Sequence, residues 1–360
     1  MNGQESDALH ARVQAFIRTP ETSLSDSYES IALAIARFQF SHVHGYERLC
    51  RARGIDVAAS TAHSVFPAVP TDAFKLARVS AFAPHDTPVA FRTSGTTLGD
   101  RGTHWFRHTN SYDMGALAFG AEHLRLASTR RFPVLVVGPP PSELGDSSLT
   151  HMLSLFVREW GTLPGETAFF LRGEKLDVER LAEVVKHIDQ QALVCGTSFA
   201  FVHLLDELES QQIVLPKGSR VMQTGGFKGR SRSVDAGELK RRLAQAFALD
   251  VASVTSEYGM TELSTQFYEV GTSVRGFPVY AEPPWARVIP VDGVTLEPVA
   301  AGKEGIARIE DLANVDSAWA VIVGDRVRRV DGGFELLGRA HDATPRGCSI
   351  AIDEILGAAR

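Results

Sequence analysis

This sequence is poor in cysteine, has no long apolar run and carries no excess of positive charge. Its 360 residues include three cysteines, Cys50, Cys195 and Cys348. The number is odd and no two are close, which argues against a disulfide framework and against a Cys-x-x-Cys metal site. No stretch of about 18 apolar residues occurs, so no membrane span is expected. The polar, charged start from Met1 to Phe16 does not read as a secretory signal. With 37 Lys and Arg against 43 Asp and Glu the net charge is −6, so no overall basic footprint points to nucleic acid. A Walker A ending, a Gly-x-Ser-x-Gly elbow and a His-Glu-x-x-His metal motif are all missing. The twelve histidines form no cluster with cysteine, and His104 and His108, four apart, are read as exposed or capping residues. The expected setting is a reducing cytoplasm.

What is present is an ordinary globular composition, 44% apolar and 22% charged. At about 150 residues per domain the length allows two domains, or one large α/β domain with an appendage. Residues 1–26 read as a short helix and a polar linker, and Ser27 to Gly54 as a helix from the spacing of Ile31, Ala34, Ile35, Phe38 and His42. Strands are expected at Phe132–Val137, Ala192–Cys195, Arg220–Gln223 and Val251–Thr255. Helices are expected at 146–160, 176–191, 199–210 and 234–247. This alternation favours a mostly parallel sheet with helices on both faces. From 276 to 337 the chain turns to short β-type runs, with Asp292-Gly293 and Asp331-Gly332 as hairpin signals. A short helix is expected from Ile352 to Ala359. The resulting division is an N-terminal helical segment over 1–60, an α/β body over 61–270, a β-rich subdomain over 271–337, and a hinge with a short tail over 338–360.

Five segments carry chemistry. Ser94-Gly95-Thr96-Thr97, followed by Gly99, Arg101 and Gly102, can turn backbone N–H groups and hydroxyls towards an anion such as triphosphate. Read alone, it is equally a surface loop. Ser256-Glu257-Tyr258-Gly259-Met260-Thr261-Glu262 follows a predicted strand, and strand ends are where α/β sheets hold ligands. There Tyr258 can stack on a base, Thr261 can bond a phosphate oxygen and Glu262 can bind magnesium. Read alone, it is also an ordinary strand-to-helix turn. Gly225-Gly226 can let backbone approach a flat ring, and Asp325 after Gly324 can accept the two hydroxyls of a ribose. Leu337-Gly338-Arg339 adds a cation. Taken singly, these last three are turns or surface residues.

Their order, Thr-Ser-Gly-Thr-Thr, Gly-Gly, Tyr-Gly-Met-Thr-Glu, Gly-Asp, Gly-Arg, resembles the acyl-adenylate-forming superfamily. The resemblance spans about residues 66 to 348. Within it, Phe66-Pro67-Ala68-Val69-Pro70-Thr71-Asp72-Ala73-Phe74-Lys75 is similar to LuxE-type acyl-protein synthetases, which are related to phenylacetate–CoA ligases. So are Ser147 to Met152, Cys195 to Phe199 and Arg346-Gly347-Cys348-Ser349.

The resemblance implies the large body of an adenylate-forming enzyme, an α/β fold with a β-rich subdomain. It implies ATP and Mg²⁺, a carboxylic acid substrate, and an acceptor that is a protein or CoA. Ser94, Gly95, Thr96, Thr97, Gly99 and Arg101 would hold phosphates. Gly225, Gly226, Tyr258 and Gly259 would line the adenine pocket, with Asp325 on the ribose. Thr261 would touch the α-phosphate, Glu262 would hold Mg²⁺ and Arg339 would lie near ribose or phosphate. Gly196, Thr197, Ser198 and Phe199 would border the acyl pocket. Cys348 would accept the acyl group as a thioester, which calls for a lowered pKa or a nearby cation such as Arg346, Arg339 or His341. The other reading of Cys348 is an unreactive cysteine.

Two departures stand out. Asp100-Arg101 replace the lysine of many family loops, and Arg's fork differs in geometry from an ammonium. Only residues 340–360 follow the Gly-Arg hinge and no lysine occurs after Lys303, so the usual C-terminal lid is expected to be absent or vestigial. The alternatives are a ligase that delivers acyl-AMP directly to CoA, a carrier protein or an amine, and a non-catalytic nucleotide-binding homologue.

Overall fold

Helical spacing over the first fifty residues builds three helices where two were expected. They are α1 (Asn2–Arg18), α2 (Tyr28–His42) and α3 (His44–Ala52). The break is Val43, which is buried and extended (φ −106°, ψ 96°). Its N–H donates to Gln39 O and its carbonyl accepts from Glu47 N, so one residue closes α2 and opens α3. The computed structural model describes residues 2–19, 26–93, 101–124, 131–225, 236–340 and 346–357. The chain divides into two compact units, Met1–Ala118 with Met260–Arg360, and Phe119–Gly259. Among the described residues no helix is long and apolar enough to cross a membrane.

The first unit continues with strand β1 (Val69–Pro70), helix α4 (Ala73–Leu76), and the antiparallel hairpin β2 (Val89–Arg92) and β3 (Thr103–Phe106). Helix α5 (Asn110–Leu124) then leads into the second unit.

That unit holds β4 (Val134–Val137), α6 (Ser148–Trp160), the small hairpin β5 (Leu171–Arg172) and β6 (Lys175–Leu176), and α7 (Val178–Lys186). It goes on through β7 (Leu193–Thr197), α8 (Ser198–Leu208), β8 (Arg220–Thr224), α9 (Ala236–Ala246) and β9 (Val254–Tyr258). Strands β4, β7, β8 and β9 pair in that order, all parallel. Their near-continuous apolar runs suit a sheet buried on both faces. Val194 and Val221 pack there with Leu181 of α7, Phe201 and Leu204 of α8, and Leu243 of α9. Burying a ring such as Phe201 contributes about 2 kcal/mol. The expected strand Val251–Thr255 is displaced: Val251–Ser253 form a 3₁₀ turn and the strand runs on through Glu257 and Tyr258.

The first unit resumes with β10 (Phe267–Thr272), β11 (Pro278–Ala281), β12 (Ala286–Val291), β13 (Glu304–Asp311), β14 (Ala320–Val330), β15 (Gly333–Arg339) and helix α10 (Arg346–Leu356). These strands form an antiparallel array in the order β12-β13-β14-β15-β11-β10, and β1 joins β14 in parallel. Asp331-Gly332 is the two-residue turn expected, with Val330 paired to Gly333 and Gly332 at φ +81°. Asp292-Gly293 is not such a hairpin. Asp292 instead accepts from the Val294 and Thr295 N–H groups and opens the longer connection over 292–303. Gly324-Asp325 is likewise no turn between strands, because β14 runs through it with a bulge between Asp325 and Val327. The last helix starts at Arg346, six residues before its expected start at Ile352, and so takes in Cys348.

Candidate active site

In the second unit, three strands bring their motif residues to one edge of the parallel sheet. Thr197, Thr224 and Glu257 lie in register at the carboxyl ends of β7, β8 and β9. Gly225 follows at φ +75°, a left-handed turn that glycine adopts without strain. Tyr258 ends β9 half-buried and Gly259 is exposed. Beneath them runs a chain of buried polar contacts. The Ser198 hydroxyl donates to the Gly225 carbonyl at 2.6 Å and lies against Gln223 Oε1. Gln223 Nε2 donates to Ser256 Oγ at 2.7 Å, and the Thr224 hydroxyl donates to the Glu257 carboxylate. Burial raises the Glu257 pKa from 4.5 to about 7, and the Thr224 bond only partly offsets this.

The acyl-pocket candidates border the same edge, and three of the four also hold the fold. A Cβ on Gly196 would lie 2.9 Å from the Val137 carbonyl and 3.1 Å from the Phe201 ring. Thr197 caps α8 by accepting from Ala200 N at 3.0 Å. Ser198 ties α8 to the end of β8. Phe199 is half-buried against the His203 ring.

The first unit holds the remaining candidates. Ser94, Gly95, Thr96, Thr97 and Gly99 lie outside the described residues, as does Gly226 of the second unit. At the flanks of the first stretch, Thr93 N donates to Gly102 O and Gly102 N donates to Thr93 Oγ1, each at 2.9 Å. Arg101 binds this same base, donating to Thr93 O at 2.6 Å.

Thr261 is half-buried and Glu262 buried, and their carbonyls are gripped by two buried side chains. His104 Nδ1 is 2.9 Å from Thr261 O, and Asn314 Nδ2 donates to Glu262 O at 2.8 Å. One step further on, Asp311 accepts from Ser264 N and from Thr265 Oγ1, both at 2.8 Å. Asp325 and Arg339 are cross-strand partners on β14 and β15, 3.3 Å apart as an ion pair, with Arg339 largely exposed. Among the described residues no group of three or more His, Cys, Asp or Glu could hold a metal by itself. A single carboxylate such as Glu262 suits magnesium that takes its other oxygens from phosphate and water.

Two expectations need correction. His104 is not exposed: it is 1% accessible, on the inward face of β3 with Phe106. The four-residue spacing to His108 applied a helical period to a strand; the alternation Thr103-His104-Trp105-Phe106 is the signal that places it inside. Among the described residues, no cation lowers the Cys348 pKa. Cys348 is 4% exposed on the first turn of α10, where burial and the Asp72 carboxylate raise its pKa to about 11. His341 lies outside the described residues. Cys50 and Cys195 are also buried, and burial raises both pKa values, Cys50 to about 12.

Comparison with known proteins bears on this arrangement. A profile of the family described as "Acyl-protein synthetase, LuxE" matches residues 18–357. The long-chain-fatty-acid–luciferin-component ligase of Aliivibrio fischeri is 22% identical over 340 residues, 89% of this chain and 86% of that protein. Among solved structures, ATP-bound MatB from Rhodopseudomonas palustris superposes with a TM-score of 0.50 at 18% identity, over 72% of this chain. The chain spans about half of MatB, 49% of its length. A 2-hydroxyisobutyryl-CoA ligase in complex with 2-HIB-AMP and CoA gives a TM-score of 0.60 at 13% identity, over 92% of this chain and 79% of that one. The structural likenesses establish the fold of adenylate-forming ligases, α/β with a β-rich part. With the family profile matching nearly the whole chain, the protein belongs to the LuxE family of acyl-protein synthetases, acid–thiol ligases that activate an acyl group with ATP.

Proposed function

We propose that the protein adenylates a carboxylic acid and then passes the acyl group to a thiol, first Cys348 and then a partner protein. In the first step a carboxylate oxygen attacks the α-phosphorus of ATP, the bond to the β-phosphate bridging oxygen breaks, and pyrophosphate leaves. In the second the sulfur attacks the acyl carbonyl carbon, AMP leaves with the bonding pair, and the thiol proton goes to solvent. The first step depends on positioning and charge stabilisation, with no protein nucleophile.

Thr261 would meet the α-phosphate and Glu262 would hold Mg²⁺ against the phosphates. Ser94, Gly95, Thr96, Thr97 and Gly99 would cradle the β- and γ-phosphates, with Arg101 shaping their base. Tyr258, Gly259, Gly225 and Gly226 would take adenine, Asp325 the ribose, and Arg339 the ribose or phosphate. Gly196 to Phe199 would border the acyl chain. A reducing cytoplasm suits its three free cysteines. The observation that carries the reading is the Thr261-Glu262 segment. Two consecutive carbonyls are fixed by buried side chains while the Thr261 side chain is left half-buried.

Acid-dependent exchange of pyrophosphate into ATP, run over aliphatic, aromatic and hydroxy acids, tests the first step. Exchange with no acid of the panel would sink it and favour a non-catalytic nucleotide binder. Direct delivery of acyl-AMP to CoA, a carrier thiol or an amine is the second reading. The buried, weakly acidic Cys348 favours it. An acid-dependent mass adduct on Cys348, removed by hydroxylamine, supports the first reading. Full transfer by Cys348→Ser to the final acceptor establishes the second.

A further inference from the structure

His104 is a buried titratable side chain that none of the motif roles uses. It sits on β3 opposite Phe91, next to Thr103, which pairs with Arg92 at the end of the hairpin leading to and from residues 94–100. The ring packs against Phe106 and Phe74, at centroid distances of 4.1 and 5.4 Å. Its two nitrogens meet two different parts of the first unit. Nδ1 lies 2.9 Å from Thr261 O and Nε2 2.7 Å from Ser317 Oγ. A carbonyl only accepts, so Nδ1 carries the proton and Nε2 accepts from the serine hydroxyl. Burial lowers the ring's pKa to about 4, so this neutral tautomer persists at pH 7.

Ser317 and Asn314 both belong to the connection between β13 and β14. That connection therefore holds the Glu262 carbonyl directly, through Asn314, and the Thr261 carbonyl through the imidazole. An apolar residue could fill the space of the ring, but it would leave a carbonyl and a hydroxyl without these bonds. The ring thus ties the hairpin that flanks residues 94–100 to the segment carrying Thr261.

We propose that His104 is a positioning residue for adenylation: it fixes the Thr261 backbone so that the Thr261 hydroxyl is held for the α-phosphate. This rests on the reading of Thr261 given above. The test is pyrophosphate exchange with the full chain, well below its melting temperature, in Thr261→Val, His104→Leu, His104→Asn and Ser317→Ala. His104→Leu keeps bulk and loses both bonds. It is expected to lower kcat/KM for ATP about tenfold or more, the effect of a buried hydrogen bond. The KM for the acid should stay within about twofold. His104→Asn, which offers a donor near the Nδ1 position, should recover most of the loss, and Ser317→Ala should show part of it. In Thr261→Val the further change His104→Leu should add little, because the two act as one unit.

If Thr261→Val leaves exchange unchanged, the reading of Thr261 fails and this inference with it. If Thr261→Val lowers exchange but His104→Leu leaves kcat/KM for ATP within about twofold, only the inference fails. An equal loss on ATP and acid, unrelieved in His104→Asn, marks a merely structural residue and also overturns it. Should His104→Leu fail to fold, His104→Asn and Ser317→Ala decide. The inference stands if Ser317→Ala lowers kcat/KM for ATP selectively, and falls if both variants leave it unchanged.

Discussion

Replacing Glu257 by glutamine should make the second unit more stable in alkali. Glu257 is buried at the end of β9, and its carboxylate accepts a hydrogen bond from the Thr224 hydroxyl. Its pKa rises from 4.5 to about 7 on burial. A carboxyl whose folded pKa is raised contributes stability that is fully present below its unfolded pKa and is lost as pH climbs through the folded value. The gap between 4.5 and about 7 corresponds to about 3 kcal/mol at full titration, and most of it falls between pH 5 and pH 8. Glutamine has the same shape, keeps an oxygen for Thr224 and does not titrate. The stability of Glu257→Gln relative to the native chain should therefore increase by about 2–3 kcal/mol from pH 5 to pH 8. Urea unfolding read by hydrogen exchange at the amides of β8 and β9 reports on the strands that carry Thr224 and Glu257. Asp311, raised by burial to about 6, titrates in both chains and cancels from the difference. Parallel stability curves for the two chains would mean that the carboxyl is already ionised in the folded protein, and the argument would be wrong.

Other perturbations give equally definite outcomes. Gly196→Ala should cost about 1–3 kcal/mol in urea unfolding, because the new Cβ meets the Val137 backbone carbonyl and the Phe201 ring. An unchanged midpoint would show that β4 and β7 can part. Asp316→Asn should loosen α1, since this carboxylate accepts from Ser6 at 2.5 Å and pairs with His10 at 3.3 Å and Arg107 at 3.4 Å. The expected loss is about 3 kcal/mol, with faster proteolysis within residues 2–18. Burial alone would raise the Asp316 pKa, but these partners hold it below 3.8. Its contribution in the native chain is therefore present above pH 3.8 and fades only as pH falls through the depressed value.

Local chemistry made much of this fold readable. Val134 to Val137 and Leu193 to Cys195 are apolar runs with no competing period, and Thr197 has the side chain that caps a helix. Asp331-Gly332 announced its turn because the register closes on two residues, whereas Asp292 satisfies its own turn and leaves the strands free to separate. What escaped reading depends on contacts far along the chain. His104 is buried by a carbonyl 157 residues away, and Glu257 titrates high because of what packs around it. The grip on Thr261 and Glu262 comes from the β13–β14 connection, whose Asn314 and Ser317 read as ordinary loop residues. Cys348 is a candidate in the sequence through the family resemblance that Arg346-Gly347-Cys348-Ser349 carries. Its environment was not legible there, since the charge beside it belongs to Asp72 and not to a nearby arginine.

The docked helix α10 also makes Cys348 a built-in reporter. With a pKa of about 11, roughly one thiol in 10⁴ is ionised at pH 7, and alkylating reagents and peroxide react through the thiolate. Modification of Cys348 by iodoacetamide should thus be slow while Gly347 N holds the Gly293 carbonyl and Arg48 holds the end of the helix at Ile355 O. Labelling at Cys348 that outruns Cys50 and Cys195 counts the moments when this helix leaves its seat. Added ATP and acid would reveal whether turnover depends on that release.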